Sequence, residues 1–317
     1  MKACDVVTFG EAMAMFIADR PGELHQIEKF TKALAGAETN VSIGLARLGF
    51  GMRWISKVGN DAFGKFIVDA LRKENVDVDA VFADDRYPTG FQMKSKVLDG
   101  DPQVQYFRKG SAASTICPGD VDMNYFTTAK HLHLTGIPSA ISACARELSF
   151  EAIKAMRAAG RSISFDVNLR PKLWSSETEM IETVNALAVQ ADWVLPGMGE
   201  GKLLTGYSNH RDIAAYYLDR GVQLVAVKLG PEGAYYRTPT DEGIVEGFKV
   251  QAVDTVGAGD GFAVGLISGL LDGLPVSEAV RRGNAIGALA VTAEGDSEGL
   301  PTRGQLSAFM DASVIIK

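Results

Sequence analysis

Short apolar runs alternate with longer segments whose apolar positions recur every three or four residues, and this rhythm extends along most of the chain. Val6–Phe9 is short and apolar-rich, as a buried strand would be. In 39–48, Val41, Ile43, Leu45, Ala46 and Leu48 follow a helical pattern. Residues 54–58 read as the next strand and 63–74 as the next helix, with Asp61 placed to cap it. Further strands are expected at 132–135, 162–167, Trp193–Leu195 and Leu224–Lys228, with helices between them near 143–159, 177–189 and 212–220. Strands alternating with helices predict an α/β fold whose mostly parallel central sheet is covered on both faces.

Two stretches break the rhythm. Residues 13–18 follow the first strand with more extended sequence. Residues 91–98 and 104–108 are β-like runs around Asp99-Gly100-Asp101-Pro102, which is a hairpin signal. Such an insertion can form a small accessory sheet over the mouth of the main domain, or it can be decorative. No internal repeat, low-complexity tract or flexible linker is visible, so one domain with an insertion is expected.

Composition narrows the class. The 317 residues, 46% hydrophobic and 22% charged, suit a globular chain with a sizeable core and not a disordered one. A net charge of −7 argues against a general nucleic-acid binder, though a local pocket can still hold an anion. No apolar stretch approaches the roughly 20 residues that span a bilayer. The first ten residues carry Lys2 and Asp5 and lack the pattern of a cleaved leader. A cytoplasmic protein with no membrane partner is expected. The three cysteines, Cys4, Cys117 and Cys144, are odd in number and scattered, and are expected to be reduced packing residues.

The chemistry concentrates in Asp254-Thr255-Val256-Gly257-Ala258-Gly259-Asp260, which opens directly into a small, apolar helical segment. Successive backbone N–H groups of such a loop can converge on an anion, and the helix dipole adds positive potential. Asp260 at the helix entrance could take a proton from a hydroxyl while those N–H groups stabilise a transferred phosphoryl group. The competing reading makes Asp260 a helix N-cap and the glycines a plain turn. A dinucleotide fingerprint fails because position 262 is Phe, and no Gly-Lys-Ser or Gly-Lys-Thr of a Walker A loop occurs.

Residues 254–266 resemble the C-terminal signature of the ribokinase/PfkB family of carbohydrate kinases, through Asp254, Thr255, Gly257, Ala258, Gly259, Asp260, Val264, Gly265 and Leu266. The N-terminal signature is matched by Ala35-Gly36-Ala37-Glu38-Thr39-Asn40 with Ser42, Gly49 and Gly59; Glu38 departs from the small residue of many members. The resemblance covers essentially the whole chain. It implies a three-layer α/β/α fold with a small β-sheet lid at about 12–35 and 88–112. It implies Asp260 as the base, Gly257, Ala258 and Gly259 as the anion hole, and ATP with Mg2+ as the phosphoryl donor. Lys228, Gly230, Glu232 and Gly233 resemble the loop that holds the nucleotide, together with Gly257 and Gly259, and Asn284 falls where members contact adenine. In the Asn-x-x-Glu motif linked to magnesium, Gly197 replaces Asn, so only Glu200 carries over, acting through water.

Three segments are more similar to the sugar-acid branch of that family, the kinases of 2-keto-3-deoxygluconate, than to ribokinase. They are 106–114, with Tyr106 and Arg108 on one face of a lid strand; 166–171, with Asp166, Asn168 and Arg170 after a predicted strand; and 295–299. A carboxylated substrate needs a cation, and Arg108 and Arg170 are the candidates. Structural pairing with an acid is their alternative role. Gly36, Ala37, Asn40, Gln92 and Ile137 complete the expected sugar pocket. Fructokinases, other sugar kinases of the family and a non-catalytic sugar sensor remain as rivals. His131 and His133 alternate on a strand, where packing is favoured over metal binding. A homodimer or higher homo-oligomer through the lid would be favoured by exposed Phe91 or Val97.

Overall fold

The computed structural model describes residues 4–97 and 102–312. Nine strands form one large sheet: β1 (Val6–Phe9), β4 (Met52–Gly59), β5 (Val81–Asp84), β8 (His131–Thr135), β9 (Ser162–Asp166), β10 (Trp193–Leu195), β11 (Leu224–Lys228), β12 (Gly233–Arg237) and β13 (Glu242–Glu246). Their order is β13-β12-β11-β10-β9-β8-β1-β4-β5. Pairing is parallel from β11 to β5 and antiparallel at β11–β12 and β12–β13.

The period of two along each strand builds two cores. Val7, Phe9, Leu132, Leu134, Val225 and Val227 face one layer, with helices Ala143–Ala158 and Glu177–Ala188 over it. Val6, Trp54, Leu224 and Ala226 face the other, against Ala37–Arg47, Ala258–Leu271 and Val276–Ala290. Asp61 caps the helix Ala62–Lys73 as expected, accepting the Gly64 N–H at 2.8 Å.

Four further strands form a separate small sheet. They are β2 (Met13–Pro21), β3 (Phe30–Ala35), β6 (Phe91–Lys96) and β7 (Val104–Phe107), in the order β3-β2-β6-β7. β6 and β7 pair antiparallel, as the hairpin reading requires; of its turn, residues 99–101 lie outside the described residues. β2 and β6 pair in parallel. Of the two lid residues whose exposure would favour a dimer, Val97 is exposed and Phe91 is half-buried, because it packs among Phe16, Phe63 and Phe107.

One expectation is overturned. Cys117 and Cys144 form a disulfide, with Cα atoms 4.7 Å apart. An odd cysteine count does not exclude a pair, and the fold brings the turn at 117 against the start of the helix Ala143–Ala158. Cys4 remains free and buried, and burial pushes its thiol up to about 11. No helix among the described residues is long and apolar enough to cross a membrane.

Candidate active site

The helix Ala258–Leu271 starts from Gly257, which takes the left-handed φ of 86°. A Cβ there would lie 2.5 Å from the Asp296 carbonyl oxygen, so both conformation and space require glycine. The N–H groups of the first helical turn have no intrahelical acceptor and add to the positive end of the helix dipole. Asp260 lies within that turn and is not its N-cap; Gly257 holds that position. Its carboxylate instead accepts hydrogen bonds from Asn40 Nδ2 at 2.8 Å and Asn168 Nδ2 at 3.3 Å. Burial pushes Asp260 up to about 7, against the opposing pull of the Asn40 hydrogen bond. A carboxyl that titrates near neutrality is suited to accept a proton from an alcohol.

A cleft of about 380 Å³ opens in front of Asp260. Every residue expected in the sugar pocket lines it: Gly36, Ala37, Asn40, Gln92, Tyr106, Arg108, Ile137, Asp166, Asn168 and Arg170. The β-period puts Val104, Tyr106 and Arg108 along one wall. Asn168 adopts φ 40° just beyond β9, a conformation that Asn tolerates better than most residues. The Gln92 side chain is directed at Met15, with Nε2 3.2 Å from Sδ.

The charges of this cleft are mostly paired. Glu11 Oε2 accepts from Arg108 Nε at 2.6 Å and Nη2 at 2.5 Å, and the Ser111 hydroxyl donates to Oε1. Lys228 Nζ meets both oxygens of Asp166, at 2.7 and 3.0 Å. Burial pulls the Lys228 ammonium down, but Asp166, Glu200 and Asp260 more than offset it and hold it above its ordinary value. Arg170 differs: its Nη1 donates to the Leu169 carbonyl at 2.9 Å, and it makes no ion pair among the described residues. Of the two candidate arginines, Arg108 is therefore already neutralised and Arg170 is the cation available to an incoming anion.

A second, larger cleft of about 650 Å³ lies on the far side of the same turn. Gly230, Gly233 and Asn284 line it, together with Ala258, Gly259, Phe248 and Phe262. Asn284 Nδ2 donates to the carbonyls of Val245 and Glu246 at 2.8 and 3.1 Å. Glu232 and Gly257 do not line it; the Glu232 carbonyl instead accepts the Gly247 N–H at 3.1 Å. Lys228 and Gly259 line both clefts, so the two spaces meet at the turn 257–259 beside Asp260.

Glu200 lines the first cleft, and both of its oxygens accept backbone N–H groups, from Leu169 at 2.8 Å and Gly197 at 2.7 Å. Among the described residues no three acidic, His or Cys side chains cluster to hold a metal directly. His131 and His133 do share a face, but Ser162 and Ser164 hydroxyls occupy three of their ring nitrogens at 2.8 Å. Burial holds both imidazoles below the ordinary value, His133 down to about 3.

Sequence reasoning misses Glu11 and Lys94, both buried in the wall of the first cleft, because their partners are distant in the chain. Glu38 is accommodated by Gly10, where a Cβ would lie 2.4 Å from its Cδ. It accepts the Thr135 hydroxyl, which in turn accepts the Ile137 N–H at 3.1 Å. The unusual acid thus supports the turn at Ile137 from behind.

Comparison with known proteins agrees with this geometry. A 2-dehydro-3-deoxygluconokinase of Bacillus subtilis (strain 168) is 56% identical over 310 residues, covering 97% of this chain and 96% of that protein. Probable fructokinase-7 of Arabidopsis thaliana is 34% identical over 94% of this chain and 90% of its own length. A crystal structure from E. coli in complex with ATP and Mg2+ has a TM-score of 0.91 and 29% identity, covering 98% of this chain and 99% of that one. The family model for pfkB family carbohydrate kinases matches residues 4–303, which include both clefts and the turn between them. The chain belongs to the pfkB family of carbohydrate kinases.

Proposed function

We propose that this enzyme transfers the γ-phosphoryl group of ATP to the primary hydroxyl of 2-keto-3-deoxygluconate, giving the 6-phosphate and ADP. The observation that carries the proposal is the meeting of two clefts at the anion turn, with Asp260 at the junction. The smaller cleft suits a sugar acid and the larger, mostly apolar one suits a nucleotide. The identity of the Bacillus subtilis enzyme, well above that of the fructokinase, supports the choice of sugar acid.

In this reading Asp260 accepts the hydroxyl proton as the sugar oxygen bonds to the γ-phosphorus and the bond to the departing ADP oxygen breaks. The N–H groups of Gly257, Ala258 and Gly259 face the charge on the transferred group, so catalysis is positioning and electrostatics. Arg170 receives the sugar carboxylate, with Arg108 orienting it from a fixed position on Glu11. Lys228 stands at the junction, where it can follow the transferred group. Mg2+ bound with the nucleotide would neutralise phosphate charge, and Glu200, whose oxygens already accept backbone N–H groups, would act on it through water. The small sheet, built from 12–35 and 88–112 in a single domain, acts as a lid that excludes water. Exposed Val97, Tyr106 and Phe107 on it are the surface through which a homodimer would form.

The test is a coupled ATP-consumption assay with 2-keto-3-deoxygluconate, fructose and ribose side by side. The sugar acid is expected to exceed fructose by roughly 10–150-fold in kcat/KM, the scale set by one buried charge-assisted contact. Equal or better use of fructose would reassign the enzyme as a fructokinase, and ATP binding without turnover of any sugar would make it a sensor.

A further inference from the structure

Lys94 is a lysine in an unusual place. It lies on β6 of the small sheet, only 3% exposed, and its Nζ leaves that sheet to meet Asp254 Oδ2 at 2.5 Å and Asp296 Oδ1 at 3.3 Å. Neither partner belongs to the small sheet. Asp254 begins the segment that ends in the anion turn, and its Oδ1 accepts the Val256 N–H at 3.2 Å. Its Oδ2 also accepts the Gly295 N–H at 3.3 Å. Asp296 contributes the carbonyl against which Gly257 is pressed. The two aspartates therefore hold the turn from before and from behind, and one ammonium joins them. Two residues further along β6, Lys96 Nζ reaches Glu294 at 3.1 Å, so the same face of β6 grips the 294–296 segment twice.

We propose that Lys94 is a positioning residue: it fixes the anion turn to the small sheet, so that the N–H groups at 257–259 are aimed correctly only when that sheet is seated. The consequence for turnover rests on the kinase reading above; the consequence for the turn does not. A long, flexible stem is suited to this task, because it spans from the sheet to two acids that would otherwise repel each other across a buried gap. The link also explains how sugar contacts on β6 and β7 reach the phosphoryl-transfer turn without touching it. Lys94 lines the smaller cleft and not the larger one, so its direct contacts lie on the sugar side of the turn.

The experiment replaces Lys94 by Met and follows two readouts. Hydrogen exchange of the ligand-free protein is expected to show the amides of residues 256–259 exchanging at least tenfold faster, with the core of β8 and β9 unchanged. In the coupled assay, kcat per folded molecule is expected to fall about a hundredfold while KM for ATP changes less than twofold. Should Lys94→Met fail to fold, the double variant Lys94→Met/Asp254→Asn removes one of the two uncompensated charges, and with it the repulsion between the acids, but leaves the link broken. It is expected to show the same kcat deficit. Unchanged exchange at 256–259, or a double variant with the parent kcat, overturns the proposal. If the parent itself phosphorylates no sugar, the kinase reading fails, and the exchange measurement alone decides the role of Lys94.

Discussion

Replacing Asp260 by Asn separates what the carboxylate does for catalysis from what it does to stability, and the two effects have opposite signs. The amide cannot accept the hydroxyl proton, and a lost general base lowers turnover by about 10²–10⁴-fold. Its effect on folding follows from burial. Asp260 titrates at about 7 in the folded protein against an ordinary value of 3.8. A carboxyl whose folded value is raised stabilises the fold only while protonated, so the folded state loses ground as pH rises from 3.8 to about 7. At pH 8 that penalty amounts to about 4 kcal/mol, and at pH 5 to less than about 2 kcal/mol. The neutral amide carries none of it. It does forfeit an acceptor, because one of the two donors, Asn40 or Asn168, then faces an NH2 group, at about 1 kcal/mol or somewhat more. That loss is the same at both pH values, so the difference between them isolates the titration. Urea unfolding at pH 5 and pH 8 is expected to show Asp260→Asn gaining about 2–3 kcal/mol relative to the parent between the two, while the coupled assay shows it nearly inactive. A stability difference that does not change with pH, or activity within tenfold of the parent, would refute the assignment of Asp260 as a buried base.

Further outcomes follow from the same site. The kcat/KM profile of the parent should fall on the acid side with an apparent value near 7, as Asp260 protonates; a limb centred below pH 5 would point to another base. Arg170→Gln should lower kcat/KM for the sugar acid by roughly 10–150-fold, the worth of a charged hydrogen bond, and for fructose by less than threefold; equal losses on both would show that Arg170 does not read the carboxylate. Reduction of Cys117–Cys144, or Cys117→Ser, opens a link across 27 residues and should lower unfolding stability by about 3–4 kcal/mol in the chain-entropy picture. Coincident urea transitions with and without reductant would contradict it.

Local features were legible in the sequence, and long-range pairings were not. β1, β10 and β11 have the bounds that apolar runs predict, and Asp61 caps its helix as its position suggests. The turn at 257–259 opens a helix because glycine density and small apolar residues specify both. The antiparallel strands β12 and β13 escape the apolar pattern: in β13 the alternating exposed positions are Glu242, Ile244 and Glu246, so no apolar run announces it. The pairing of Arg108 with Glu11 spans 97 residues and that of Lys94 with Asp254 spans 160. Periodicity reports which face a residue takes, and it carries no signal for which distant acid meets it. Hence Arg108 reads first as a ligand of substrate, with a structural cation as the alternative, and only the fold shows its occupied edge. The disulfide escapes for the same reason, since two cysteines meet through a turn and a helix start that composition does not bring together.

The separation of partners around Asp260 also sets an order of assembly. Asn40 meets Asp260 across 220 residues, Lys94 meets Asp296 across 202, and Arg47 reaches the Leu300 carbonyl across 253. A chain made from its N-terminus first therefore exposes half of every such pair long before the other half exists. Contacts of this range close late, after the loop entropy between them has been overcome. The parallel sheet can begin to form around β1, β4 and β8, but the cleft around Asp260 cannot, because Asp260 and the turn before it are made more than a hundred residues later. Under the proposed reading, phosphoryl transfer becomes available only after residues 254–300 have been made and have closed onto the first hundred.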